Sequence, residues 1–136
     1  MSSKFTWDDP SDLEEVREAP PTQVATILVK RQFDGYQLWG RRRDTNLYTT
    51  PGGKFEDNES PEQAAARELF EEAGIVANPV KLGVREFPER NLTVHCFVII
   101  VPDSVKPSSA SDPDHEVSIW EWLPTMPIDT HAKPNA

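Results

Sequence analysis

A single cysteine, Cys96, is all that the 136 residues carry, so no disulfide can form within the chain. It lies in the apolar run Val94–Val101 and reads as a buried core thiol rather than a nucleophile. Cations are also scarce. Lys and Arg number 14 against 23 Asp and Glu, a formal charge of −9 and a pI near 4.7. That balance argues against gripping DNA or RNA by their phosphates, which needs clustered basic side chains, so no nucleic-acid polymer is expected as a partner. An acidic enzyme can still take a polyanionic substrate if metal ions stand between them. No apolar stretch approaches the roughly 18 residues of a membrane span, and Met1–Asp9 has no apolar run behind a basic start. A soluble, reducing, cytoplasmic setting is the expectation.

The length fits one domain with a real core. Residues 1–21 read as an acidic arm, with Asp8, Asp9, Asp12, Glu14, Glu15 and Glu18 against Lys4 and Arg17. The domain proper is residues 22–136. Val24–Lys30 and Tyr36–Arg42, separated by the turn Phe33-Asp34-Gly35, predict a hairpin. Leu47–Thr50 is a short strand closed by a Pro51-Gly52-Gly53 turn. Val80–Phe87, Leu92–Val101 and Val117–Leu123 are further strands, and Ser104–Pro113 is a loop. Trp120 and Trp122 alternate with Ile119 and Glu121, and the expectation is one tryptophan on each face, packed in the core rather than stacked on a base. Strands around one strong helix predict an α/β (α+β) domain with layered packing.

That helix runs from Ser60 to Ala73. Serine suits the N-cap, Pro61 the first helical position, Gln63 completes a capping box, and Gly74 is a natural stop. Ala64, Ala65, Leu69 and Phe70 offer apolar surface to the sheet. Glu68 and Glu72 stand one turn apart on one face, and Glu71 joins them. Carboxylates packed so closely repel unless something positive sits among them. Arg67, four residues before Glu71, supplies one partner, and the remaining carboxylates are hard oxygen donors suited to Mg²⁺ or Mn²⁺.

Alone, such an acidic helix face is a weak sign of a metal site. Its frame is more specific: Gly53, Glu59, Arg67, Glu68, Leu69, Glu71, Glu72, Gly74 and Ile75 fit G-x5-E-x7-R-E-[aliphatic]-x-E-E-x-G-[aliphatic]. At average residue frequencies this arises by chance on the order of once in a billion starts. The pattern is a complete Nudix box, and the chain resembles the Nudix hydrolases, most closely the MutT type. The resemblance covers about residues 22–124, sharply in the box and loosely elsewhere.

The resemblance implies an α/β/α sandwich around a mixed sheet and Mg²⁺- or Mn²⁺-dependent hydrolysis of a nucleoside triphosphate to monophosphate and pyrophosphate. An oxidised purine nucleotide such as 8-oxo-dGTP is the leading substrate. It further implies Glu68, Glu71, Glu72 and the Gly53 carbonyl as metal ligands, Arg67 as the residue that orients a carboxylate, and Glu68 as a candidate general base. Glu116, with Asp114 as its alternative, would add an acidic group from a late loop. Arg41, Arg42 and Arg43 would face the phosphates, with Lys54 nearby. Arg90 would border the purine, and Asn135 is a counterpart for base recognition. The residues after Pro124 leave little room for the long C-terminal helix usual in such folds. Alternatives are a nucleoside diphosphate sugar, a dinucleoside polyphosphate or capped RNA as substrate, and a non-catalytic nucleotide-sensing domain. A monomer or homodimer is expected.

Overall fold

A computed structural model describes residues 20–128 of the chain. In order they form β1 (Thr22–Arg31), β2 (Gln37–Arg42), β3 (Tyr48–Thr49), β4 (Gly52–Lys54), the helix α1 (Pro61–Ala73), β5 (Val80–Phe87), β6 (Leu92–Val101) and β7 (Val117–Leu123). A short 3-10 turn, Pro88–Arg90, joins β5 to β6. The strands make one mixed sheet in the order β3-β2-β1-β6-β5. β1 and β6 run parallel through their whole length, Thr22 beside Leu92 to Arg31 beside Val101, and the other pairings are antiparallel.

The expected hairpin forms but is short. β1 and β2 share only the pair Lys30 and Gln37, because the same edge of β1 is taken further back by β4, with Thr26 opposite Gly52. The Pro51-Gly52-Gly53 segment is therefore more than a turn: Gly52 and Gly53 are ladder residues. β2 swings away to pair with β3 and β7.

Alternation along β1 sends Ala25, Ile27 and Val29 to the face that α1 covers, where Phe97 and Val101 of β6 and Leu38 of β2 meet them. The helix brings Ala64, Ala65, Leu69 and Ala73, mostly small side chains that let its axis approach the sheet closely. Its start follows the sequence signals. The Gln63 amide donates to Ser60 Oγ at 3.1 Å and the Ser60 amide to Gln63 Oε1 at 2.9 Å. Gly74 ends it in the left-handed region, φ 69°.

Trp120 and Trp122 both pack on this core, so the expectation of one tryptophan per face is wrong. Residues two apart in a strand share a face, since the side-chain period is two. The mixed sheet and the α/β class are as expected, with one α-helical layer among the described residues. None of the described helices is long and apolar enough to cross a membrane.

Candidate active site

β4 carries Gly52 and the box residue Gly53 past the inner face of α1. The Gly52 amide donates to Glu72 Oε1 at 2.9 Å. A methyl on Gly52, whose φ of 157° already favours glycine, would run into the Ala25 carbonyl, and one on Gly53 would stand 2.5 Å from Glu68 Oε2. Glu68 and Glu72 are each only 9% exposed. Burial, the largest cause, pushes the Glu72 carboxyl up to about 8, with the charges of Glu68, Glu116 and Asp112 adding and the Gly52 amide opposing. Burial likewise pushes Glu68 up to about 6, with Arg67 opposing.

Arg67 ties this acidic cluster together. Its Nε and Nη2 donate to the two oxygens of Glu59 at 2.7 and 2.9 Å, a bidentate pair. Its Nη1 donates to Glu68 Oε2 and to Glu71 Oε1, both at 3.1 Å, and Nη2 reaches the Lys54 carbonyl at 3.0 Å. The guanidinium holds the Glu59 carboxyl below the usual carboxylate range. Among the described residues no three His, Cys, Asp or Glu side chains converge into a ready-made metal cluster. The cation between Glu68 and Glu71 is Arg67 itself.

The donor set nonetheless fits a hard divalent cation. Glu68, Glu71 and Glu72 supply carboxylate oxygens. Two of them are buried at a cost that a positive charge would offset. Gly53 leaves the approach to Glu68 free of a side chain.

The other end of the site is a cavity of about 560 Å³ on the sheet face away from α1. Val24, Thr26, Trp39, Leu92, Val94 and Cys96 line its apolar body, Arg85, Phe87 and Arg90 stand along it, and Gly52, Gly53, Glu72, Arg42 and Glu116 close its acidic end. The Thr26 and Thr50 hydroxyls are hydrogen-bonded to each other in this wall. Cys96 corrects the sequence expectation: it is half-buried and lines the cavity rather than the core, because alternation along β6 turns it away from the face of Phe97.

Of the arginine triplet, Arg42 alone lines the cavity. It forms a bidentate pair with Asp44, both contacts 2.8 Å, and lies 3.5 Å from Glu116. Arg41 turns to the Asn46 carbonyl at 2.7 Å and stacks on Tyr48, 4.2 Å from the ring centre. Arg43 supports the late loop, its Nε donating to the His115 carbonyl at 2.9 Å. Lys54 is exposed at the end of β4. Asn135 lies outside the described residues.

Glu116 is brought to the carboxylates of α1, and Asp112 is what shapes its loop. Asp112 is 4% exposed, and its two carboxylate oxygens accept from the Asp114 and Glu116 amides, each at 3.0 Å. Sequence reasoning gave Asp112 no role, although an aspartate ahead of Pro113 in a turn-rich stretch is the signal for such a staple. Glu59 and Arg85 were also without a role there. Glu59 could have been found from Arg67, since the box spaces the two.

Known proteins resemble the chain in sequence and in fold. The NUDIX domain family model matches residues 5–136. An 8-oxo-dGTP diphosphatase of Proteus vulgaris is 48% identical over 52 residues, 36% of this chain and 46% of that protein. The 8-oxo-dGTP diphosphatase of Escherichia coli K12 is 32% identical over 83 residues, 57% of this chain and 64% of that protein. The chain thus spans less than two thirds of either relative's length. A solved structure of a MutT protein from Methanosarcina mazei Go1 matches with a TM-score of 0.56 at 23% identity, covering 78% of each chain, a likeness of fold.

Proposed function

The chain belongs to the NUDIX domain family, and on that premise we propose that it hydrolyses a nucleoside triphosphate to the monophosphate and pyrophosphate. The observation that carries the proposal is that buried Glu72, one helical turn from buried Glu68, lines an apolar cavity of about 560 Å³. That volume lies within the ~300–1,000 Å³ of small-molecule sites. The base and sugar occupy the apolar body, with Arg85 and Arg90 beside them. The phosphates lie at the acidic end, where Arg42 is within reach. An oxidised purine nucleotide is the proposed substrate class, supported by the named activity of the two bacterial relatives.

Glu68, Glu71 and Glu72 would hold a Mg²⁺ or Mn²⁺ ion, which when bound supplies charge against the phosphate oxygens and lowers the pKa of water. The protein's own part is positioning and proton transfer. Water adds to one phosphorus of the anhydride, the bond from that phosphorus to the bridging oxygen breaks, and the water proton passes to a carboxylate. Glu68 is the proposed base, held by Arg67 Nη1 at 3.1 Å on the buried face of α1 beside Gly53. Arg67 keeps its carboxylate oriented, and Glu116 faces the same region from the late loop. A cytoplasmic monomer or homodimer is the proposed setting.

The test is product analysis across a nucleotide panel with Mg²⁺, separating pyrophosphate from phosphate release, with Glu72→Gln beside the wild type. Release of pyrophosphate, sharply reduced in Glu72→Gln, is expected. A wild type that releases neither product from any nucleotide overturns the proposal, as does full activity in the variant.

A further inference from the structure

Residues 43–47 join β2 to β3, and their turn is tied at several points. The Asn46 amide donates to the Arg42 carbonyl and the Arg42 amide to the Leu47 carbonyl, both at 2.9 Å. Asn46 lies in the left-handed region at φ 58°, which asparagine tolerates better than most residues. Thr45 Oγ1 accepts from the Leu47 amide at 3.3 Å, and Arg41 Nη1 donates to the Asn46 carbonyl at 2.7 Å. Asp44 therefore stands on a fixed turn, and its carboxylate reaches back to Arg42.

The contact is one-sided. Arg42 Nε donates to Asp44 Oδ1 and Nη2 to Oδ2, each at 2.8 Å, so one edge of the guanidinium is filled. Its far end, at Nη1, makes no hydrogen bond among the described residues, and Glu116 Oε1 is 3.5 Å from it. That end lies where Arg42, Glu72 and Glu116 line the cavity. A planar guanidinium with donors to spare matches the geometry of a phosphate. Arg41 and Arg43 are committed elsewhere, to Asn46 and Tyr48 and to the His115 carbonyl.

We propose that Asp44 is a positioning residue: it holds the Nε edge of Arg42 and thereby keeps the Nη1 end aimed at the phosphates of the substrate. The inference rests on the triphosphate reading and names the residue that sets its phosphate affinity. Two effects of Asp44 oppose each other. Its charge repels an incoming phosphate, but its side chain is 59% exposed, and through solvent the repulsion is worth only about threefold in affinity. An untethered arginine must instead give up its rotamers when the phosphate binds, a loss on the order of tenfold or more. Ordering wins. Exposed ion pairs ordinarily matter little, but this one is bidentate, and Arg42 is itself only 20% exposed.

The test is calorimetric titration of the full chain, in Mg²⁺, with the α,β-imido analogue of dGTP, and with deoxyguanosine as the probe that lacks phosphates. Asp44→Ala and Arg42→Ala should each weaken the analogue about tenfold, and the double variant should bind no more weakly than Arg42→Ala alone. Asp44→Asn, which keeps one acceptor, should lose less than the alanine variant. Deoxyguanosine should bind all of these proteins alike. Affinity in Asp44→Ala that is tighter than, or within about twofold of, the wild type overturns the proposal. Losses that add in the double variant overturn it too, as does an equal loss for deoxyguanosine, which marks a structural role. Binding needs no turnover, so a wild type that binds the analogue but hydrolyses no nucleotide counts against the hydrolysis alone. A wild type that does not bind the analogue overturns both.

Discussion

A methyl group on Gly53 would stand 2.5 Å from Glu68 Oε2 and 2.8 Å from its carboxyl carbon, so strand β4 and helix α1 are fitted to one another at the site's central carboxylate. Gly53→Ala must push that carboxylate aside. Because the displaced atoms are the end of a side chain, stability should fall by less than about 2 kcal/mol. Turnover should fall on the order of 100-fold, the usual cost of misplacing a reacting group by about 1 Å. Steady-state kinetics beside thermal melting separates the two effects.

Glu72 makes stability depend on pH in the absence of metal. Its carboxyl, pushed up to about 8 from an ordinary 4.5, binds a proton more readily in the folded than in the unfolded chain. Between those values the folded state holds more protons, so stability from this group is full at low pH and is lost as pH rises toward 8. Glu68, pushed up to about 6, acts with the same sign over a narrower range. Buried His95 acts oppositely, since burial lowers its pKa below 6.5 and stability is gained as pH rises through that region. The comparison with Glu72→Gln isolates the glutamate. In EDTA the wild type should lose more melting temperature from pH 5 to pH 8 than the variant does, and Mg²⁺ should recover most of the difference. A slope unchanged in the variant would show that Glu72 is not the group responsible.

Arg67 joins Glu59, Glu68, Glu71 and the Lys54 carbonyl, and a substitution there should disturb both folding and chemistry. Arg67→Ala leaves four acceptors without their donor and should cost about 2 kcal/mol, read by urea unfolding. Lysine keeps the charge but not the planar fork that grips Glu59 through Nε and Nη2, so Arg67→Lys should restore little.

Much of this was legible in the sequence because the signals were local. The cap of α1 needs only Ser60, Pro61, Gln63 and Gly74, and the structure contains each contact. The carboxylates of the box share a helix face by spacing alone. What the chain hid was non-local. The three arginines 41–43 look equivalent in sequence, yet the shift in register with β7 between Arg41 and Arg42 and the loops at Asn46 and His115 give each a different partner. Cys96 sits in an apolar run that fits a core strand, but its face is decided by register with β1, where Thr26 rather than Ile27 is its neighbour. The closeness of Asp112 to Glu116 depends on a fold of loop that no periodicity announces.

The tryptophans show how a core contact reaches the site. Trp120 Nε1 donates to the Glu72 carbonyl at 3.1 Å, pinning the last turn of α1 to β7. Its ring and the Val117 side chain fill the space above Gly40, where a Cβ would meet each at 2.7 Å. Gly40→Ala should therefore overpack the core and cost about 1–3 kcal/mol. Trp120→Phe loses the hydrogen bond and the second ring, at a cost of ~1 kcal/mol for the bond alone. The phenyl ring, however, withdraws atoms from the space the alanine needs. The double variant should thus be more stable than the sum of the single losses, by ~0.5 kcal/mol or more in a double-mutant cycle measured by urea unfolding. Strict additivity would mean that the ring and the glycine do not share that space.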